Sequence, residues 1–436
     1  MRKTLALVSV VAVSMIATAA VEYTYENDGK TYVATVTSAE TAISDEAIAV
    51  LNANEVTNFV IKGSQRLVVD KSSTFTGDVH VTSPVRIVAE KSLGIGPGKI
   101  YVTLKRITMS GGTVEKDVFF DCGTTWNEST GIGAWGGYGT STFKGKVSYS
   151  DRTLNVYPWA NSTIVFEGGL EGTGGMYIRE AEGGTVVFTN SPLLTTYSYP
   201  LSFIYSDNLK VDSSGFLVHM VFTEAGNRLA RFGHASYRFT KGDLRTTVDW
   251  AFDNAGMAMH FNHSSKWDLC GTSQRIGYLD FTCTSGNPSV VTNSLEAPAT
   301  LYITQTANAT PAAVFGGNLS VDFSGNKITT IDYSNTAKGG ITVNAGTLAF
   351  TENGSWNNAT DVTVNGSAKI TIARSGVFHR AANMSLATMA SLDLASGVAM
   401  RVASLKIGGA EMPYGDYQFG SGTLSVGPVS MRIIVR

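Results

Sequence analysis

Apolar and polar residues alternate in short runs along most of this chain, and glycine or asparagine punctuates the runs. Residues 339–350, Gly-Gly-Ile-Thr-Val-Asn-Ala-Gly-Thr-Leu-Ala-Phe, carry the pattern in its clearest form. Ile341 and Val343 alternate with Thr342 and Asn344; after a turn at Ala345-Gly346, Leu348 and Phe350 alternate with Thr347 and Ala349. A strand sends successive side chains to opposite faces, so the stretch predicts two short strands, each with one apolar face. So small a piece cannot bury that face alone and needs similar pieces stacked above and below it.

Two recurring frames extend this expectation. The first, Phe-x-Gly-x-apolar-x-apolar, occurs at 75–81, 143–149 and 315–321. Its Phe, Gly and later apolar residues would share one strand face, with the glycine leaving room for a neighbour or a bend. The second, Thr-apolar-x-apolar, occurs at 153–156, 163–166, 185–188, 300–303, 347–350 and 423–426. Together they predict stacked coils of roughly 20 to 25 residues. Around Gly29-Lys30 the flanks predict a small hairpin. Ser44-Asp45-Glu46 predicts the one helix, with a capping hydroxyl, two acids at the positive end of the dipole, and Ala47, Ile48 and Leu51 as an apolar stripe. Late in the chain, Leu386, Met389, Leu392, Leu394, Val398 and Met400 read as a continuation of the stack, and Asn365-Gly366 as a hairpin or coil corner.

Composition sharpens the class. Charged residues make up 16% of the 436, below the roughly 25% usual for soluble proteins, and 46 glycines suit the corners of an all-β solenoid. The formal net charge is −2 and no long basic block occurs, so nucleic acid is not an expected partner. Residues 1–19 read as a secretory signal peptide: Arg2 and Lys3, an apolar core over 5–16, and a small-residue site at Ala17-Thr18-Ala19. Beyond it no stretch is apolar enough to span a bilayer as a helix. Three cysteines, Cys122, Cys270 and Cys283, make no disulfide scaffold; Cys270 and Cys283 could meet on stacked coils, and buried thiols are the expectation for all three.

The expected organisation is a signal peptide over 1–19, an N-terminal cap over 20–59 and repeats over 60–200. Less regular coils with longer turns follow over 201–266, then repeats over 267–403 and a C-terminal cap over 404–436. Residues 201–283 hold four of the six histidines (His219, His234, His260, His263) and two of the six tryptophans (Trp250, Trp267), so a contact surface would be sought there first.

Several stretches resemble the autotransporter-associated β-strand repeat proteins. Val60-Ile61-Lys62-Gly63, Leu67-Val68-Val69, Phe75-Thr76-Gly77 and Val79 are similar to the family's repeat. So are Leu269-Cys270-Gly271 with Gln274 and Ile276-Gly277-Tyr278-Leu279, and residues 339–348 most closely of all. The closing 405–409, 415–417 and 420–426 are similar to the end of many such passengers. The resemblance covers about half the chain. It implies a single right-handed parallel β-helix, exported and displayed or released at the cell surface, with a short helix-containing N-terminal cap and no catalytic residues. The C-terminal membrane β-barrel of a complete autotransporter needs many alternating segments of about ten residues, and none follows here. A repeat module without its barrel is therefore expected, secreted or at the cell surface, with the periplasm as the other compartment open to it.

Several residue sets could carry chemistry, and each has a plainer reading. Lys241, Asp243, Arg245, Asp249 and Asp253 could form the acid–base face of a polysaccharide lyase or hydrolase, but charge runs are usually solvated edges. His260 and His263 stand three apart, which on a strand sends them to opposite faces, and no further ligand is at hand for a metal. Gly94-Ile95-Gly96-Pro97-Gly98 lacks the Lys-Ser/Thr ending of a phosphate loop and reads as a coil corner. Accordingly no catalytic, cofactor-binding or metal-binding residue is assigned, and no cofactor is expected. The expected function is a non-enzymatic exported solenoid, structural or adhesin-like, whose partner would be a surface glycan, a protein or further copies of itself. The alternative is a β-helix polysaccharide lyase or glycoside hydrolase.

Overall fold

The computed structural model describes residues 21–428, apart from 28, 124–129, 135–138, 151–153, 160, 173–175, 179–183, 189–192, 195–201, 204–218, 223–236, 240–242, 248, 251, 263–264 and 283–286. The proposed signal peptide, 1–19, thus lies outside the described residues, as do His234, His263, Cys283 and Lys241. Among the described residues no helix is long and apolar enough to cross a membrane.

The chain winds into a parallel β-helix of about 13 turns. Each full coil visits three faces in order. On the first face Asn58–Gly63, Asp78–Val81, Ile100–Thr103, Val118–Asp121 and Val147–Tyr149 pair in parallel, one per coil. Leu67–Val69, Val85–Ile87, Arg106–Met109, Gly131–Ala134 and Leu154–Pro158 build the second. The third starts at Thr113–Val114 and runs through Gly139–Phe143 and Ser162–Phe166 to Ala313–Gly317. The same order resumes in the C-terminal half: Leu319–Phe323, then Ile328–Ile331, then Ser334–Asn335, with the next coil's Ile341–Val343, Thr347–Phe350 and Ser355–Trp356 stacked on them. Hydrogen bonds that side chains make to the neighbouring coil typically span 20, 22 or 24 residues, the length of one coil.

Two ten-residue strands, Asp253–Asn262 and Ser273–Thr282, join the halves. Their register shifts between Asn254 and Ala258. Met259–Phe261 take up the second-face ladder from Tyr237–Phe239, whereas Ser273–Ile276 pass the first-face ladder on to Ala299–Ile303. Asn254-Ala255-Gly256, a run of turn-like composition, is thus an irregularity inside a strand.

Alternation decides what fills the interior. Phe59, Val79, Ile100, Val118 and Val147 occupy successive rungs of one inward column and are fully buried. Ring pairs continue the filling, with Phe143 stacked on Phe166 at 5.7 Å, Phe261 on Phe281 at 4.4 Å and Phe315 on Trp356 at 4.9 Å. The Phe-x-Gly frame works differently from its expectation. Phe143 closes one strand and Val147 opens the next, so the frame is a corner from third face to first and not a single strand face. A side chain at Gly145 would strike the backbone of Lys116 in the coil before, which is why a glycine stands there. In residues 339–350 the two predicted strands form but do not pair with each other; each pairs with the coils on either side. Gly346 makes the corner between them at φ +70°. Met389, expected in the stack, sits in a turn and is 74% exposed; its neighbours Leu386, Leu392 and Leu394 are buried.

Both ends differ from the body. Val21–Glu26 and Thr31–Val36 form the predicted hairpin, and the helix follows at Asp45–Ala53. The Ser44 hydroxyl accepts from the N–H of Ala47 at 3.1 Å, and Ala47 and Leu51 are buried beneath the helix. The helix is tied to the next coil by asparagines: Asn52 Oδ1 accepts from the Thr74 N–H (2.7 Å) and Asn54 Oδ1 from the Thr76 N–H (2.8 Å). At the far end Gly415–Phe419 folds antiparallel onto Gly422–Val426, and Ala410–Glu411 onto Ser404–Ile407, replacing open parallel edges with reversed strands.

Candidate functional site

The acid–base set read from the sequence does not gather on one face. Asp243 and Arg245 lie in Asp243–Thr246 on the third face, where their backbone partners are Lys266 and Asp268. Asp253 begins a first-face segment opposite Arg275. Between them Trp250 turns the chain with φ +61°, and Asp249 is engaged in that corner, its Oδ1 accepting from the Ser273 N–H at 2.6 Å. Lys241 and the side chains of Asp243 and Asp253 lie outside the described residues. His260 occupies a second-face rung between Arg238 and Asp280. Among the described residues no three His, Cys, Asp or Glu side chains group as metal ligands.

The glycine-rich 94–98 segment is a coil corner. Ile95 N–H bonds to Phe75 carbonyl and Gly98 N–H to Thr76 carbonyl, so these amides face protein. Beneath it lies the feature that the sequence reading passed over: Lys116, 1% exposed. Its Nζ donates to the Gly77 carbonyl and sits 4.9 Å above the Phe75 ring. Burial pulls its ammonium down to about 8, against an upward pull from Asp78. Cys122 and Cys270 are buried free thiols; burial pushes Cys122 up to about 12 and also raises Cys270, so neither is a nucleophile at neutral pH.

Polar side chains elsewhere knit coil to coil. Buried Asn293 accepts from the N–H groups of Gly271 (2.8 Å) and Leu295 (3.2 Å), and donates to the carbonyls of Ala297 (2.6 Å) and Asn318 (2.7 Å). Asp268 accepts from the N–H groups of Cys270 and Ser294. Burial alone would raise Asp268, but hydrogen bonds from Ser294 and Cys270 outweigh it and hold the carboxyl below its usual range. Near the N-terminal end Glu40 bridges Arg66 (3.0 Å) and Arg86 (2.9 Å).

The outer surface of the first face in the C-terminal half is organised in rows. In one flank Asn344 donates to Asp322 (2.7 Å) and Asn365 donates to Asn344 (2.8 Å). In the other, Asn383 donates to Asp361 (3.2 Å) and Ser404 to Asn383 (2.8 Å). Burial raises Asp322 above the usual carboxylate range, against the hydrogen bond from Asn344. A middle row, in register from coil to coil, passes through Tyr302, Asp322, Thr342, Thr363 and Ser385. At its N-terminal end Tyr302 lies 5.5 Å from Trp250, over which the Arg275 guanidinium sits at 5.2 Å.

No family model, curated protein or solved structure matches this chain. The arrangement must therefore be judged on its own chemistry. Asp249 and Asp268 hold corners, and Asp322 and Asp361 hold amide rows. A sequence signal for the rows existed in the recurrence of Thr, Ser and Asn at outward positions one coil apart, but the register was needed to align them.

Proposed function

We propose that this protein is an exported, non-enzymatic β-solenoid that serves as a structural or adhesin-like module at the cell surface or in the extracellular matrix. The observation that carries the reading is the use of its carboxylates. A glycan-cleaving β-helix needs an acid and a base facing one another across a groove with room for substrate. Here Asp249 and Asp268 accept backbone N–H groups, and Asp322 and Asp361 anchor amide rows. Export is supported by the signal-like residues 1–19, and the surface role by the resemblance of the repeats to autotransporter-associated strands. Low charge and parallel outward rows suit repeated weak contacts along an extended body.

Reducing-sugar release from neutral and acidic polysaccharides, measured with the wild type, Asp243→Ala and Arg245→Ala, tests this. The expected result is no release above the blank for any of the three. Reproducible turnover that either substitution abolishes would replace the reading with a β-helix lyase or hydrolase.

A further inference from the structure

The outer first face between Leu319 and Ile407 has two kinds of row, and the difference between them suggests a site. The flanking rows are closed by hydrogen bonds: on one side Asn365 bonds to Asn344, which reaches across to Asp322 at the head of the middle row, and on the other Asp361, Asn383 and Ser404 bond in series. Between these rails stand Thr342, Thr363 and Ser385, whose backbones are direct partners in adjacent coils. All three are partly exposed, and their hydroxyls have no hydrogen-bond partner among the described residues. Each hydroxyl therefore offers a donor and two acceptor positions to solvent. They recur at the strand spacing of about 4.8 Å, on side chains that are short, β-branched or held between fixed neighbours. Little rotamer entropy would be lost on contact.

We propose that this face binds a neutral β-1,4-linked polysaccharide chain lying along the solenoid axis. The proposal rests on the reading of the protein as a binding module. Such a chain is flat and extended, with hydroxyl groups along its edges at regular intervals, and so meets a flat, regular row of hydroxyls. The middle row carries basic residues only at its ends, Arg275 in register with Tyr302 and Lys406 in register with Ser385, and one carboxylate, Asp322, before Thr342. It has no run of basic residues of the kind a polyanion or nucleic acid would require, and no apolar anchor among Thr342, Thr363 and Ser385 of the kind that centres a protein–protein interface. At the N-terminal end of the middle row the Tyr302 and Trp250 rings supply an apolar surface of the kind that receives the C–H face of a sugar.

Isothermal titration of the full chain with cellohexaose, chitohexaose and mannohexaose, with polygalacturonate as the anionic comparison, tests the assignment. The wild type should bind at least one of the neutral hexaoses more tightly than polygalacturonate. The triple variant Thr342→Ala/Thr363→Ala/Ser385→Ala, which leaves every inward residue in place, should weaken that binding at least tenfold. Thr330→Ala/Thr371→Ala, in an outward row of the second face, should leave it unchanged. Absence of binding to all three hexaoses at millimolar concentration would overturn the proposal, as would equal binding by the triple variant or equal weakening by the second-face variant. None of these would touch the reading as a non-enzymatic module. Cleavage of a bound hexaose would end that reading while leaving the face assignment to the variants.

Discussion

Lys116 gives the sharpest quantitative test of how the interior is built. Its ammonium lies inside the solenoid against the Gly77 carbonyl and the Phe75 ring, with Asp78 the nearby acid that pulls against burial. The ordinary lysine value of 10.5 falls to about 8 in the fold. The unfolded chain therefore holds this proton more tightly than the folded one, and stability must rise with pH between the two values. Below pH 8 both states are charged and the full penalty, about 3 kcal/mol, is present; it is relieved as pH climbs through 8 towards 10.5. Between pH 7 and pH 10 the gain is about 2–3 kcal/mol. The raised groups Tyr149 and Cys122 act in the opposite direction at high pH, so the wild type alone would blur the effect. Lys116→Met keeps length and bulk, removes the charge and leaves those groups unchanged. Urea unfolding followed by circular dichroism at both pH values gives the gap between variant and wild type. That gap should shift in favour of the wild type by about 2–3 kcal/mol between pH 7 and pH 10, whatever the loss of the bond to Gly77 contributes at both. A gap that is the same at both pH values, within about 0.5 kcal/mol, would refute the buried-charge argument.

Two further outcomes concern the corners. Asn293→Ala removes two acceptor and two donor contacts from a buried position. It should destabilise the coils on either side by about 2–4 kcal/mol, read as faster amide exchange at Gly271 and Leu295 with distant coils unaffected. Gly346→Ala places a Cβ 2.5 Å from the Lys327 carbonyl oxygen at φ +70°; a loss of about 2 kcal/mol is expected, and an unchanged thermal midpoint would contradict the corner geometry.

How much of this was legible in the chain follows from what alternation encodes. The period of two fixes which side of a strand a residue occupies, so the inward column through Phe59, Val79 and Ile100 and the solenoid itself could be anticipated. It does not fix where one strand ends, and the Phe-x-Gly frame preserved its parity across a corner at Gly145. Met389 fitted the apolar spacing but falls in a turn, where spacing has no direction. Asn254-Ala255-Gly256 has turn composition, yet the ladder bonds on both sides hold it in an extended strand. Nothing local marks Lys116 as buried: Phe75 and Gly77 come from a coil some 39 residues earlier. The candidate acids failed for the same reason, since the partner that engages Asp249 is Ser273, one coil away.

The paired rails of the first face have a direction. An ionised aspartate can only accept hydrogen bonds, so Asp322 requires the amide nitrogen of Asn344 to face it, which turns the Asn344 oxygen towards Asn365. Asp361 imposes the same sense on Asn383 and Ser404. In both rows every donor points back towards the N-terminus, and successive dipoles align and reinforce one another. Parallel strands contribute little net dipole of their own, so these side chains give the solenoid an electrical head and tail. Reversing a single aspartate to asparagine would remove the group that sets the sense of its row, and an entire file of amides could then point either way.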